Sequence, residues 1–279
     1  MDFSVSEEQQ QVKELAAQIL GDQTSNERLR EIENSDSKTD DKLWSDLAEA
    51  GLLGVAVAEE HGGMGFGFEP LCSLFEEIGR SVAPVPVMAS LTSAYILQTI
   101  GTSNSAADLL SGVAKGQTVL TTAFSEPGND SFARPTSTAT LNSDQWQVSG
   151  SKQGVAYADS AHAILLTAQC QGEPLLMLVE PNNVRLTSQR ATCDEPQSLV
   201  ELDNSPARLI AKGAHAIELA QQYWTAAQSA FAVGLTDKMM RLTASYTSER
   251  HQFGVPVATF QAVGHRAADC YIDVECLRL

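Results

Sequence analysis

The spacing of apolar residues changes twice along this 279-residue chain, and that change limits the fold more than any other feature. Residues 1 to about 115 repeat apolar side chains with the 3.6-residue period of a helix. From about 116 to 210 the period becomes two, in short runs such as Thr118–Phe124 and Ser198–Leu202 that are separated by turn residues. The helical period returns at Ala214 and continues to the last residue, with one break near Gly254 and Pro256.

This order predicts an α+β protein built from three domains. We expect a helical N-terminal domain over residues 1–115, a middle β-domain over 116–212 and a helical C-terminal domain over 213–279. Closely spaced strands without helices between them predict a small antiparallel β-barrel or sandwich for the middle domain. The last helix reaches Leu279 without a glycine, asparagine or proline stop signal, so we expect the C-terminal domain to be incomplete.

The first helix has a recognisable start in the sequence. Ser4 and Glu7 have the spacing of a capping box, in which a serine and a glutamate three residues later satisfy free backbone N–H groups. Val12, Leu15 and Ile19 then form an apolar stripe at helical spacing. We therefore expect an amphipathic helix that begins close to Ser4.

The formal net charge of −17 excludes a nucleic-acid binder, because such proteins need basic patches to neutralise phosphates. No apolar run reaches the length of about 18 residues that a membrane span needs. The N-terminus has neither the basic region nor the apolar core of a signal peptide. The five cysteines lack metal-ligand spacing, so we expect reduced thiols, no metal site and a cytoplasmic protein.

Several motifs, in order and with family-like gaps, resemble the acyl-CoA dehydrogenase family. Their coverage is essentially the whole chain, and they lie at Leu47–Gly65, Glu76–Arg80, Phe124–Gly128, Trp146–Lys152, Tyr246–Gly254 and Phe260–Gln261. The resemblance implies that FAD lies where the β-domain meets the helices and that an acyl-CoA thioester stacks against the flavin. It also implies α,β-desaturation, with hydride transfer to the flavin and proton removal by a carboxylate.

The same resemblance implies a set of cofactor-binding residues. Thr122 and Ser125 would contact the polar edge of the flavin, and Ser131 would lie near the flavin and the coenzyme A. Arg250 would bind the FAD diphosphate across a subunit interface, because a guanidinium offers paired, rigid donors. Three residues around the turn and the next helix would accompany Arg250, namely Gln252, Phe253 and Gln261.

Two departures from the family pattern affect the expected chemistry. The aromatic and hydroxyl residues that the family places over the flavin are replaced by Gly154, Val155 and Ala156, and by position we still expect Val155 and Ala156 to contact the cofactor. The carboxylate base is not found: the resemblance implies a glutamate near the end of the C-terminal domain, beyond Leu279, in most members. In a minority it implies one 26 residues before Arg250, where this chain has Trp224. We identify no catalytic residue from the sequence, and the nearest acidic side chain is Glu218.

These departures leave alternatives open. The leading hypothesis is an FAD-dependent acyl-CoA dehydrogenase subunit, assembled as a homo- or heterotetramer and served by an electron-transfer flavoprotein. The second is a non-catalytic, FAD-binding or structural subunit of a heteromeric dehydrogenase of the kind associated with bulky substrates such as sterol side chains. The third is an oxidase or flavin hydroxylase of the same fold, which would react with oxygen.

Overall fold

The computed structural model describes residues 4–101, 106–129 and 131–279, and its elements follow the predicted order of helices, strands and helices. The N-terminal helices are α1 Glu7–Gln23, α2 Asn26–Glu33, α3 Asp41–Glu49, α4 Phe68–Ser81, α5 Val87–Ile100 and α6 Ala107–Ala114. The strands of the main sheet are β1 Leu120–Ala123, β2 Thr138–Asn142, β3 Gln145–Ala156, β4 Ala163–Cys170, β5 Glu173–Val179, β6 Arg185–Arg190 and β7 Pro196–Lys212. The chain continues through α7 Ala214–Glu249, β8 His251–Gln252, β9 Val255–Pro256 and α8 Gln261–Arg278.

The α+β class is confirmed, and the division into domains at residues 115 and 212 stays a prediction. The elements change type between Ala114 and Leu120 and again between Lys212 and Ala214. Among the residues that the structure describes, every helix is too short or too polar to cross a lipid bilayer.

The start of α1 differs from the prediction by two residues. Ser6, and not Ser4, is the N-cap, and its hydroxyl accepts a hydrogen bond from the Gln9 backbone N–H at 3.2 Å. The Gln9 side chain accepts in return from the Ser6 backbone N–H at 2.8 Å. A glutamine at the third helical position serves the capping box as well as a glutamate does, so two overlapping capping patterns compete in this sequence.

The main sheet is mostly antiparallel, with two parallel pairings that the predicted antiparallel arrangement did not include. β3 pairs antiparallel with β2 and β7, and β5 does so with β4 and β7, while β6 adds to β7. β1 runs parallel to β4 along its whole length, and β2 meets β4 in parallel at a single pair. The closed barrel or sandwich stays a prediction.

β7 is much longer than the run Ser198–Leu202 that the sequence predicts as a strand. Asn204 adopts φ +47°, a conformation that asparagine tolerates better than most residues, and the register with β3 shifts between Val148 and Gly150. This bulge lets the strand continue through a segment that has the composition of a turn.

Two apolar clusters form the interior. The larger one joins the N-terminal helices to the first part of α7 and to the side of the sheet that carries Leu120, Leu165 and Leu176. The smaller one lies within the sheet and contains Val148, Val155 and other residues with nearly complete burial. The alternation of side chains along each strand divides its apolar residues between the two clusters.

Charged side chains connect four helices at one edge of the larger cluster. Glu76 on α4 forms ion pairs with Lys13 on α1, Arg80 on α4 and Arg278 on α8. Arg80 also pairs with the buried Asp237 on α7. Because the partly buried carboxylates have several donors each, this network compensates the cost of removing charge from water.

Candidate active site

A cavity of about 110 Å³ lies where β1 and the end of β3 face α5 and α7. The helices contribute mainly apolar and uncharged side chains, and the sheet contributes Thr121, Thr122, Gly154 and Ala156. The loop before β7 adds Glu195, and β7 itself adds Gln197. The cavity therefore collects residues from the middle of the chain and from two helices that lie far apart in the sequence.

Trp224 closes one side of this cavity. Its indole N–H donates a hydrogen bond to the Thr122 hydroxyl at 3.1 Å, which joins α7 to β1. Its ring lies 5.3 Å from the ring of Phe132 and 6.4 Å from that of Phe124, measured between centroids. An aromatic side chain with its N–H satisfied in this way is held firmly in place. The position where some relatives would carry a carboxylate is therefore filled by a fixed indole.

A buried ion pair holds the loop beside the cavity. Lys152 on β3 has no solvent exposure, and its ammonium group donates to Glu126 at 2.7 Å and to the Thr167 hydroxyl at 3.2 Å. The Glu126 carboxylate also accepts from the backbone N–H groups of Thr136 and Ser137. These contacts fix the segment around Glu126 against β3, next to the predicted flavin contacts.

Thr92 on α5 places an unsatisfied hydroxyl at the cavity. The residue is 1% exposed, and its Oγ1 has no hydrogen-bond partner among the described residues. Unpartnered buried hydroxyls are uncommon in folded proteins, and each one needs an explanation. A bound group with a polar atom in this cavity would satisfy the hydroxyl.

Glu195 is a potential site residue that sequence reasoning missed. Burial raises the pKa of its carboxyl above the ordinary value, and the hydrogen bond from the Gln197 side chain at 3.1 Å lowers it in part. Its loop, between β6 and β7, has no motif or periodicity that marks it. Only the tertiary structure brings the carboxyl to the cavity.

The structure brings together only part of the predicted cofactor set. Thr122 and Ala156 line the cavity together. Ser125 lies just beyond β1, where its carbonyl accepts a hydrogen bond from the Gln153 N–H at 3.0 Å. The Val155 side chain packs into the cluster inside the sheet, and Ser131 is exposed. All five assignments stay predictions.

The second predicted set lies at the other end of α7. Arg250 follows the last residue of that helix, and Gln252, Phe253 and Gln261 are exposed beside it. Twenty-six residues separate Trp224 from Arg250, so a rise of about 1.5 Å per residue places the two roughly 39 Å apart. The two predicted sets therefore do not form one site within one chain.

The fold and the cavity define a protein in which helical segments flank a sheet and meet it at a shared pocket. The acyl-CoA dehydrogenase N-terminal domain model matches residues 6–117, and the C-terminal domain model of the same family matches residues 212–279. The chain belongs to the acyl-CoA dehydrogenase family, a family of oxidoreductases, which confirms the resemblance seen in the sequence.

Individual relatives agree with this assignment. Acyl-CoA dehydrogenase FadE28 of Mycobacterium tuberculosis is 31% identical over 98% of this chain and 74% of its own length. The solved Tcur3481-Tcur3483 steroid ACAD is 38% identical, with a TM-score of 0.92 over 98% of this chain and 75% of that chain. The ChsE4-ChsE5 complex from Mycobacterium tuberculosis is 27% identical, with a TM-score of 0.90 over 99% of this chain and 76% of that chain.

Proposed function

We propose that this chain is a subunit of an FAD-dependent acyl-CoA dehydrogenase that desaturates the α,β bond of an acyl-CoA thioester. One observation carries the proposal: Thr122 and Ala156, both expected at the flavin, face the same cavity as α5 and α7. That cavity lies at the junction of the sheet and the helices, where the family resemblance implies the flavin and the acyl group.

The chemistry of the available donors fits FAD. Thr122 offers a hydroxyl at the cavity, and Arg250 offers an exposed guanidinium suited to a diphosphate. When bound, FAD would accept the β-hydrogen of the acyl group as a hydride. The chain's own residues would orient the thioester and exclude water from the cavity.

The separation of the two cofactor sets supports assembly with a second subunit. Arg250 lies roughly 39 Å along α7 from Trp224, by a rise of about 1.5 Å per residue, so one chain cannot present both sets to one FAD in this way. We propose a homo- or heterotetramer in which Arg250 completes the site of a neighbour. The electron acceptor would be an electron-transfer flavoprotein, and the location would be the cytoplasm.

The relatives favour a heteromeric form with a bulky substrate. One solved relative is a steroid ACAD that carries two protein names, Tcur3481 and Tcur3483. Another is a complex of ChsE4 with ChsE5. We propose that this chain also pairs with a sister chain and acts on a bulky acyl-CoA. The small residues Gly154 and Ala156 beside the cavity support this, because they leave more room than aromatic residues would.

The visible absorption spectrum tests the proposal. We expect the purified protein, alone or with a co-expressed sister chain, to be yellow and to lose its visible flavin absorbance when acyl-CoA is added without oxygen. A protein that stays colourless after addition of FAD and of the sister chain would contradict the proposal.

The alternative is a non-catalytic subunit of a heteromeric dehydrogenase, which Trp224 favours. Its indole fills the position of a possible base and is fixed by Thr122. In that case acyl-CoA oxidation with an artificial electron acceptor would require the sister chain. The rate of oxidation would stay the same after substitution of this chain's cavity residues. Robust turnover by the isolated chain would rule this alternative out.

A further inference from the structure

Thr92 is an exception among the helical hydroxyls of this protein. A serine or threonine inside a helix commonly donates to the carbonyl oxygen four residues earlier. Ser93 donates in this way to Ala89 at 2.7 Å, and Thr236 donates to Ala232 at 2.6 Å. The Thr92 hydroxyl has no such bond and no other partner in the part of the chain that the structure describes. Because the residue is 1% exposed, bulk water does not replace the missing partner.

A second hydroxyl in the same cavity also lacks an acceptor. Thr92 lines the cavity from α5, and Thr122 lines it from β1. The Thr122 oxygen accepts from the Trp224 indole, which can only donate, so the hydroxyl hydrogen of Thr122 finds no acceptor among the described residues. The side chains of Glu195 and Gln197 bond to each other at 3.1 Å and to neither threonine. The cavity therefore contains two O–H donors without acceptors.

The chemistry and the size of the cavity indicate which group it takes. A buried hydroxyl without a partner destabilises the fold, and folded proteins rarely keep one without a reason. Two O–H donors are matched by one oxygen that carries no hydrogen, as a carbonyl oxygen does with its two lone pairs. A volume of about 110 Å³ holds only a few water-sized groups, at about 30 Å³ each in the liquid. One carbonyl-bearing group therefore fits, whereas a flavin ring and a thioester together do not.

We propose that the Thr92 hydroxyl donates a hydrogen bond to a carbonyl oxygen of the bound ligand, with the Thr122 hydroxyl as the second donor. This inference rests on the proposed function, which supplies two ligands with such an oxygen, the thioester of acyl-CoA and the ring of FAD. Without ligand, Thr92 is a buried, unpaired donor, and ligand binding satisfies it. Thr92 is thus a ligand-contacting residue that no sequence motif marks.

Thr92→Val tests the proposal, because valine keeps the shape of threonine and removes the hydroxyl. The samples are the purified chain with any co-purifying sister chain. Flavin fluorescence titration of the apoprotein gives the affinity for FAD, and calorimetry gives the affinities for octanoyl-CoA and for S-octyl-CoA, a thioether that lacks the carbonyl. We expect the affinity for FAD or for octanoyl-CoA to fall about three- to tenfold, the contribution of one hydrogen bond, and that for S-octyl-CoA to stay unchanged. The ligand that loses affinity identifies the source of the carbonyl.

Thermal unfolding of the ligand-free protein provides a readout that does not depend on the ligand. We expect Thr92→Val to raise the midpoint of unfolding, because it removes a buried hydroxyl that has no partner. The matched control is Ser93→Ala, which removes the neighbouring buried hydroxyl that is already satisfied within α5. The control should leave every affinity unchanged and should not raise the midpoint.

The two readouts separate failure of this inference from failure of the proposed function. If the wild type binds FAD or octanoyl-CoA and Thr92→Val changes neither affinity, the role of Thr92 is overturned and the proposed function stands. A lower midpoint of unfolding would overturn the role too, because the hydroxyl would then have a partner inside the protein. An equal loss for octanoyl-CoA and S-octyl-CoA, with FAD unaffected, would indicate packing and also overturn it. A wild type that binds neither FAD nor octanoyl-CoA would overturn the proposed function and this inference with it.

Discussion

Lys152 illustrates how much a single residue fixes beside the site. In the sequence it marks the end of a motif that resembles a strand turn. In the structure its ammonium group is fully buried and reaches Glu126, on the loop that follows β1. The burial of two opposite charges is costly, and here it is compensated by the further hydrogen bonds that Thr136, Ser137 and Thr167 provide.

Removal of the lysine should therefore destabilise the protein strongly. We expect Lys152→Met to lower the free energy of unfolding by about 3–5 kcal/mol, because it leaves the Glu126 carboxylate buried without a cation. Urea denaturation followed by circular dichroism measures the change. Lys212→Met is the matched control, since that lysine is exposed on the ring of Trp146 and should cost at most about 1 kcal/mol. Equal effects of the two substitutions would contradict the structural role of the pair.

The same pair predicts the behaviour in acid. Burial by itself would raise the pKa of the Glu126 carboxyl, but hydrogen bonds from Lys152, Thr136 and Ser137 outweigh it and hold the pKa well below the ordinary value of 4.5. Because the folded pKa is below the unfolded one, the stabilisation is present above about pH 4.5 and is lost as the pH falls toward the folded pKa. Below pH 4.5 the free energy of unfolding, measured by urea denaturation at each pH, should therefore fall more steeply for the wild type than for Glu126→Gln. Equal slopes for the two proteins would refute this.

At the scale of elements, the crossing of α4 and α7 determines where the long helix lies. A Cβ atom on Gly234 would lie 1.7 Å from the Glu76 carbonyl oxygen, and one on Gly79 would lie 2.1 Å from that of Phe231. The two backbones are therefore in direct contact, and only glycine allows this approach. The position of α7 set by this contact brings Trp224 and its neighbours over β1.

A methyl group at this crossing should separate the helices. We expect Gly234→Ala to destabilise the fold by about 1–3 kcal/mol, although alanine favours a helix by about 1 kcal/mol over glycine. Thermal unfolding measures the effect. Gly264→Ala on α8 is the control, because a Cβ there meets nothing within 4 Å and should be neutral or stabilising. Equal effects of the two substitutions would contradict the role of close packing at this crossing.

At the scale of the whole molecule, the second half of α7 and α8 expose an apolar surface. Tyr246 is 63% exposed, Phe253 is 94% exposed and Ile272 is 58% exposed. Large apolar side chains exposed together in this way are typical of surfaces that another chain covers. Because Arg250 lies among them, this part of the molecule fits the proposed role of completing a neighbour's cofactor site.

Substitution of Arg250 tests that role directly. We expect Arg250→Ala to weaken FAD binding at least tenfold, because a charge-assisted contact with a diphosphate contributes about 1.5–3 kcal/mol. Flavin fluorescence titration of the apoprotein provides the affinity. Arg266→Ala, which removes another exposed arginine from the adjacent helix α8, should leave the affinity unchanged. An unchanged affinity in Arg250→Ala would exclude contact with the cofactor.

The sequence by itself determined the order of helices and strands, because periods of 3.6 and two residues are local properties of the chain. It also indicated the family, since the motifs at Leu47–Gly65 and Tyr246–Gly254 keep their spacing. Local patterns left the first cap undecided because two overlapping capping boxes compete. They left the length of β7 and the parallel contact of β1 undecided because a bulge and strand pairing depend on distant partners. Only the tertiary structure placed Glu195 and Trp224 in the lining of one cavity, since long-range packing, and no spacing in the sequence, brings these two segments together.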